Sequence, residues 1–358
     1  MDRNITKCHS RGSQSLCQLL PFLGTTFLLI SSGSAQSPAV DSTDGYGGPK
    51  NIVVATIPMK TPFTAVVSPD SKLVYVGNYD QKTVSVIDAA TNAITSIISM
   101  HDWVQDLAIT PDGHTLYVEC FGEYSDVVVV DTSSNRISSV FGDSELPTSI
   151  AVSPDGKLLW ELGAGSISIV DTATNQFRSL INTGRDVPYG IAFSPNGAGA
   201  FVLSSLVNLK ADGYGLFLLS TTSLPTSYPE WRHDKVSNRW EFAGGPTVSP
   251  DGRTLYFTTG KEVVVYDTTQ QQVQKKIWIK GYGSSGQPAI TPDGKHLYVP
   301  YSDGFVFMVD TATNRVSHPP ITVGAAPDAV VIGPNGKFAY VVNGGVPGSI
   351  SVIDIGPK

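Results

Sequence analysis

The sequence predicts an all-β chain: a seven-bladed β-propeller closed by an N-terminal strand that completes the last blade. Three observations lead there. One phrase recurs seven times, its copies are nearly evenly spaced, and the composition favours strands and turns over helices. The phrase begins at Ser68 (SPDSKLVYVGN), Thr110 (TPDGHTLYVEC), Ser153 (SPDGKLLWELG), Ser194 (SPNGAGAFVLS), Ser249 (SPDGRTLYFTT), Thr291 (TPDGKHLYVPY) and Gly333 (GPNGKFAYVVN). Start-to-start spacings are 42, 43, 41, 55, 42 and 42 residues, and a period near 40 with strand-like content marks four-stranded blades. Gly (35) and Pro (24) are plentiful and Met (4) is scarce, a balance that long helices disfavour. With 41% hydrophobic and 15% charged residues among 358, apolar material for packing is ample.

Read from its start, the chain opens with a targeting pattern over residues 1–35. Arg3, Lys7 and Arg11 outweigh Asp2, Leu19 to Ile30 is apolar, and small residues follow at Gly33-Ser34-Ala35. This reads as a signal peptide, with an uncleaved anchor as the other reading of an apolar run too short to span a bilayer comfortably. Lipoprotein attachment is disfavoured because no Cys follows the apolar run. Export, to the outside or to the periplasm and cell envelope, is the expectation, with no membrane span after cleavage. Residues 36–50 read as a linker and 51–358 as the propeller. Cys8 and Cys17 precede the cleavage point, so the mature chain keeps only Cys120 and has no internal disulfide. Cys120 sits in a strand pattern and reads as a small apolar filler.

Each piece of the repeat has a physical job. The short apolar segment before the phrase (Phe63 to Val67, Ser149 to Val152) suits an innermost strand packed between neighbours. Pro-Asp-Gly makes a tight turn: Pro presets φ, Asp bonds nearby donors, and Gly takes positive φ. Leu-Tyr-Val is the second strand, and runs such as Val84 to Ile87 or Ile167 to Val170 form the third. Asp-Thr-Ala-Thr-Asn follows, at Asp88, Asp131, Asp171 and Asp310 with small variations. There Asp caps the bend and Asn tolerates the left-handed conformation, so these repeated acids read as structural. A more polar fourth strand, such as Ile94 to Ser99, ends the unit. The last unit stops after its third strand, at Ser349 to Asp354, while Asn51 to Ile57 (NIVVATI) precedes the first unit without an inner strand of its own. That strand is expected to pair beside Ile350 to Asp354 and remove the exposed edges that invite aggregation.

Tyr75-Val76-Gly77-Asn78 and Tyr340-Val341-Val342-Asn343, with the SPDG and DTATN turns, resemble the repeats of the YVTN family of propellers. The resemblance covers about residues 51–358. It implies a seven-bladed, extracytoplasmic protein, more a binding scaffold than the site of a particular reaction, and it brings no catalytic residues to transfer.

Turns after strands one and three share one face of such a propeller. The opposite face carries the variable strand-two-to-three loops, among them Gly77 to Lys82, Phe121 to Asp126 and Gly260 to Glu262, and is where binding is expected. The fourth unit is enlarged within Ser204 to Tyr214 and again within Leu224 to Gly245. The second excess holds Trp231, Arg232, His233, Asp234, Arg239 and Trp240: either a shelf for a sugar, peptide or aromatic ligand, or an extra hairpin. The other candidate is the central channel, where Gln105, Asp106, Thr148, Tyr189, Gln287 and Asp328 lead the inner strands and converge near the axis. There, ordered water is the default partner of buried polar groups.

The net charge of −7 and the lack of a basic run argue against nucleic acid as the main partner. No HExxH, paired-Cys or CxxCH spacing exists, so neither a metal nor a cofactor is expected. Gly281-Tyr282-Gly283-Ser284-Ser285-Gly286 fits GxGxxG but leads into an inner strand, not a helix, and reads as a loop. The expected function is a monomeric, non-catalytic scaffold for a protein, glycan or small-molecule ligand. The alternative is a lactonase- or lyase-like propeller acting on a small cyclic substrate, for which His101, Glu123, Arg185 and His233 are the available pieces. Their convergence at the channel mouth would favour the enzyme.

Overall fold

Strands of this chain carry apolar side chains on both faces, so each small sheet needs a neighbour on either side. A computed structural model shows how this is met; it describes residues 50–142, 146–206, 213–221, 234–237, 244–281 and 283–357. Seven antiparallel sheets form a ring, and the described residues contain no helix. The segment read as a signal, nearly all of the linker, and Trp231, Arg232, His233, Arg239 and Trp240 of the blade-four excess lie outside the described residues.

From the axis outward, blade one is Pro62–Val67, Leu73–Asn78, Thr83–Asp88 and Ala93–Ser99. Blade two is Trp103–Ile109, Thr115–Phe121, Val127–Asp131 and Arg136–Phe141. Blade three is Pro147–Val152, Leu158–Gly163, Ser166–Asp171 and Gln176–Asn182. Blade four is Val187–Phe193, Gly199–Leu206, Gly213–Ser220 and Asp234–Ser237. Blade five is Thr247–Val248, Thr254–Thr259, Glu262–Asp267 and Gln272–Trp278. In blade six, Ala289–Ile290, His296–Tyr301 and Phe305–Asp310 are followed by an outer strand split into Arg315–Val316 and Ile321–Thr322. Pro319 and Pro320 fall in the gap, where neither can donate to the ladder. Blade seven is Pro327–Ile332, Phe338–Asn343, Gly348–Asp354 and, from the other end of the chain, Ile52–Met59.

That last pairing runs antiparallel from Ile52 opposite Asp354 to Met59 opposite Gly348, with a bulge at Val54. It is the closure expected from the sequence, with the strand running two residues past Ile57 to Met59. Asn51 repeats the device at the head of the other outer strands. Its φ is +51°, as Asn92, Asn135, Asn175 and Asn314 have φ of +53° to +57°. Its Oδ1 accepts a 2.6 Å bond from the Tyr298 hydroxyl of blade six, the counterpart of Tyr117 donating to Asn175 across blades two and three. Lys50 adds an ion pair to Asp354 at 3.0 Å.

The apolar core is divided into seven clusters, one per neighbouring pair of blades. Tyr75 faces blade two while Val74 and Val76 face blade seven, so alternation along one strand supplies two interfaces. The cluster joining blades seven and one draws Ile57 and Met59 from the N-terminal strand. Cys120 is buried in the cluster between blades one and two, where burial pushes its thiol up to about 12.

Deleting residues 50–59 strips a strand from blade seven and two side chains from that cluster. We expect a lowered thermal midpoint by circular dichroism and self-association by size-exclusion chromatography, since Gly348–Asp354 becomes an open edge. The milder Tyr298→Phe should lower stability by about 1 kcal/mol in urea unfolding, the usual net value of one hydrogen bond.

Candidate functional site

The two faces of the ring differ in what their residues do. On the turn face the recurring serines, threonines and aspartates bond one another within each turn. Ser68 Oγ donates to Asp70 Oδ1 at 2.7 Å, and Asp70 accepts from the Lys72 amide. Blades two, three, five and six repeat the arrangement through Asp112, Asp155, Asp251 and Asp293. Asp131 accepts from Ser133 and Ser134, which holds its carboxyl down to about 2. Neighbouring turns also interlock: a side chain at Gly113, Gly252 or Gly294 would press against Pro69, Pro195 or Pro250 of the preceding blade. Where the ring meets its own start, Ser71 takes the glycine position with φ +58° and accepts from the Asn335 amide through its hydroxyl. These carboxylates are structural, as their recurrence in every unit implied.

The inner strands are stitched together in two ways. Across blades one to three the centre is Asp106. Its carboxylate accepts from Thr64 Oγ1 at 2.9 Å, Ser149 Oγ at 2.9 Å, and the Leu107 and Ile150 amides. Thr148 continues the seam by donating to the Pro188 carbonyl at 2.6 Å. Across blades five to seven the backbones themselves meet. The Gln287 amide donates to Asp328 O at 2.8 Å, and Thr258 Oγ1 donates to Gly286 O at 2.9 Å. A Cβ at Gly286 would collide with the Asp328 carbonyl, and one at Gly281 with the Tyr301 ring. The glycines of the GxGxxG run thus permit close approach between blades, consistent with its reading as a loop. Asp106 and Thr148 thus bond protein groups of their own and neighbouring blades.

Beside Asp106 lies an arrangement that the sequence pattern did not signal. Glu119 of blade two is 0% exposed, and neither carboxyl oxygen has a hydrogen-bond partner. Burial raises its pKa well above the ordinary value, and Glu161 of blade three and Asp106 push it the same way. Burial raises Asp106 too, against the pull of its four donors. A neutral, protonated Glu119 is the form this environment favours.

On the loop-rich face, side chains from blades one and two form an aromatic row. Phe63 and Tyr79 lie with ring centroids 5.4 Å apart, Tyr79 stacks on Trp103 at 5.9 Å and 10°, and Phe121 follows at 6.1 Å. Trp103 is 37% exposed and the neighbouring Tyr124 61%. Phe63 occupies a bulge, opposite the step between Asn78 and Gly77, and a bulge re-aims its side chain. The polar groups beside the row are tied to one another. Asp102 accepts from Lys82 Nζ at 3.1 Å and from the Tyr124 amide at 3.2 Å. Burial pushes the Asp102 carboxyl up, but these donors outweigh it and leave it below the ordinary range. The Lys82 ammonium lies 5.3 Å from the Trp103 ring centroid. His101 Nε2 is 2.9 Å from Asp126 Oδ1, and burial raises the Asp126 carboxyl. Gly122 keeps this loop tight, because a Cβ there would collide with the Asp102 carboxylate.

His101 and Glu123 share the blade-two side of this face, and Arg185 lies in the connection between blades three and four. Among the described residues no hydrogen bond or ion pair joins these three. Tyr189 packs against the core cluster of blades four and five. Gln105 and Asp328 occupy bulges in their inner strands, the same position as Phe63 in blade one. Asp328 is exposed towards water, yet the surrounding protein pushes its carboxyl up to about 6. Tyr79 and Trp103 were missed as site residues; their signal was an aromatic placed where a strand meets a loop of the variable face. A groove of about 400 Å³ on the outer half of blade one, lined by Met59, Asn78, Ser85, Ile94 and Ile97, is the other concavity of note.

This architecture is that of a seven-bladed β-propeller. The solved structure of Kuenenia stuttgartiensis Hydrazine Synthase is similar with a TM-score of 0.72 at 21% identity, over 91% of this chain and 100% of that one. At that identity the likeness establishes the fold. No protein-family model matches the sequence, and no curated protein matches it.

The Glu119 environment sets a pH dependence. A native pKa above that of the unfolded chain means that the folded protein keeps a proton the unfolded chain releases. Stability is then full below the ordinary glutamate range and falls as pH rises through the native value. Glu119→Gln should remove that fall and raise the thermal midpoint at pH 8 by about 1–2 °C, the shift that ~1 kcal/mol makes in a domain of this size. Calorimetry from pH 5 to 8 checks it; an unchanged or lowered midpoint at pH 8 counts against a buried neutral acid.

Proposed function

We propose that this chain is an exported propeller of the YVTN type that acts as a non-catalytic binding scaffold, engaging its ligand on the loop-rich face of blades one and two. The observation that carries the reading is the row Phe63, Tyr79, Trp103 and Phe121, partly exposed and held in place by a braced loop. Aromatic side chains on a rigid scaffold provide large contact area at small entropic cost. Export is supported by the charged, apolar and small-residue pattern of residues 1–35, and the YVTN assignment by the seven recurring phrases.

The opposing reading is a lactonase- or lyase-like enzyme, and one observation favours it: the His101–Asp126 pair has the geometry of an oriented acid–base histidine. Against it stand the separate positions of Glu123 and Arg185.

A thermal-shift screen of the full chain against oligosaccharides, peptides, amines and lactones tests both readings. A ligand at a hundredfold its Kd should add about 2.7 kcal/mol of stability. Trp103→Ala and Tyr124→Ala should each weaken such a ligand roughly tenfold or more, while His101→Ala leaves its affinity within about twofold. Turnover of a lactone that vanishes in His101→Ala would instead establish the enzyme.

A further inference from the structure

The channel mouth between blades seven and one has a chemistry of its own. The seven inner strands, from Pro62–Val67 round to Pro327–Ile332, contain no Lys, Arg or His. Their two charged residues are both acids, Asp106 and Asp328. Asp106 is fully engaged by four donors. Asp328 differs: among the described residues its carboxylate has no hydrogen bond and no ion pair, although its backbone carbonyl is held by Gln287. A narrow opening lined by charge of one sign concentrates the field and draws the opposite charge.

The neighbourhood of Asp328 adds a second feature. Gly344 follows the second strand of blade seven, and a Cβ there would collide with Asp328 Oδ2 and lie 3.6 Å from the Pro62 carbonyl oxygen. The carboxylate therefore sits one glycine away from Pro62, next to Phe63, where the aromatic row begins. At the far end of that row the chain already places a cation over a ring, Lys82 on Trp103. Lys82 is paired with Asp102, whereas at the Phe63 end no described cation pairs with the Asp328 carboxylate.

We propose that the channel mouth binds an organic cation, whose ammonium group pairs with Asp328 and whose apolar body lies against Phe63 and Tyr79. This deepens the binding-scaffold reading and rests on it. An ammonium fits better than a divalent metal, because among the described residues no three His, Cys, Asp or Glu side chains converge to hold one. Aromatic faces beside a carboxylate are the surroundings in which alkylammonium groups are recognised.

The groups facing Asp328 make its response to pH simple. Pro62–Val67, the Gly286–Pro288 segment and the Gly344–Pro347 turn carry no titratable side chain. Lys60 lies in the connection before Pro62, and Tyr298, Tyr301 and His296 lie on the second strand of blade six. None of these sets the shift, which comes from burial alone. The carboxylate gains its proton as pH falls through about 6, so cation affinity should drop about tenfold per pH unit below that value.

The test is calorimetric titration of the full chain with tetramethylammonium and butylammonium from pH 5 to 8, with neopentyl alcohol and glucose as neutral probes. We expect the ammonium probes to bind at pH 8 at least tenfold more tightly than the alcohol, to weaken with the stated slope, and to lose both preferences in Asp328→Asn. Asp328→Glu should restore the pH dependence in part. Equal binding of the alcohol, a flat pH profile, an unaffected Asp328→Asn, or no ammonium binding overturns the cation assignment. If a neutral probe binds and Trp103→Ala or Tyr124→Ala abolishes it, the aromatic-row reading stands while this inference falls. If every ligand found ignores those two variants, the row itself is not the site.

Discussion

Every part of this molecule answers to one constraint: a four-stranded sheet with two apolar faces is insoluble alone and must be covered on both sides. Radial arrangement satisfies that for all sheets at once only if the ring closes. Closure depends on backbone pairing between Ile52–Met59 and Gly348–Asp354. The seven separate clusters follow from this geometry, since each forms between two neighbouring blades.

The two halves of the ring solve the same inner-strand problem with different chemistry. Near blades one to three, a carboxylate collects donors from three strands. Near blades five to seven, glycines let main chains approach until they bond directly. The first solution places charge near the axis and brings Glu119 and Glu161 within electrostatic reach. The second leaves the Asp328 side chain free while its carbonyl is held, and that division of labour gives the channel mouth its polarity.

Much of the fold was legible in the sequence because the repeat is written in residues whose backbone preferences are narrow. Gly113, Gly156, Gly197, Gly252, Gly294 and Gly336 all adopt positive φ at the Pro-Asp/Asn-Gly turn, and Asn92, Asn135, Asn175 and Asn314 at the second turn. The likeness of Asn51 to these residues was hidden, since the sequence before it does not repeat the Asp-Thr-Ala-Thr phrase. The site was far less legible. Trp103 and Phe121 are partners on neighbouring strands of blade two, and Tyr79 of blade one reaches Trp103 only when the two blades pack together, so no spacing along the chain announces the row. The isolation of Glu119 was equally invisible: its strand neighbours are apolar, and only the facing blade shows that no donor answers it. His101 and Glu123 were flagged by residue type alone, and type does not bring Arg185 to their side.

The N-terminal closing strand also has a consequence for biogenesis. Its hydrogen-bonding partner lies about 300 positions further along the chain. At typical synthesis rates of ~5–20 residues per second, roughly 15–60 s pass before that partner exists. Throughout that interval blades one to six can stack as an open arc, but Ile57 and Met59 lack the blade-seven half of their cluster. Whatever escorts the nascent polypeptide must shield Ile52–Met59 until Gly348–Asp354 has emerged to pair with it.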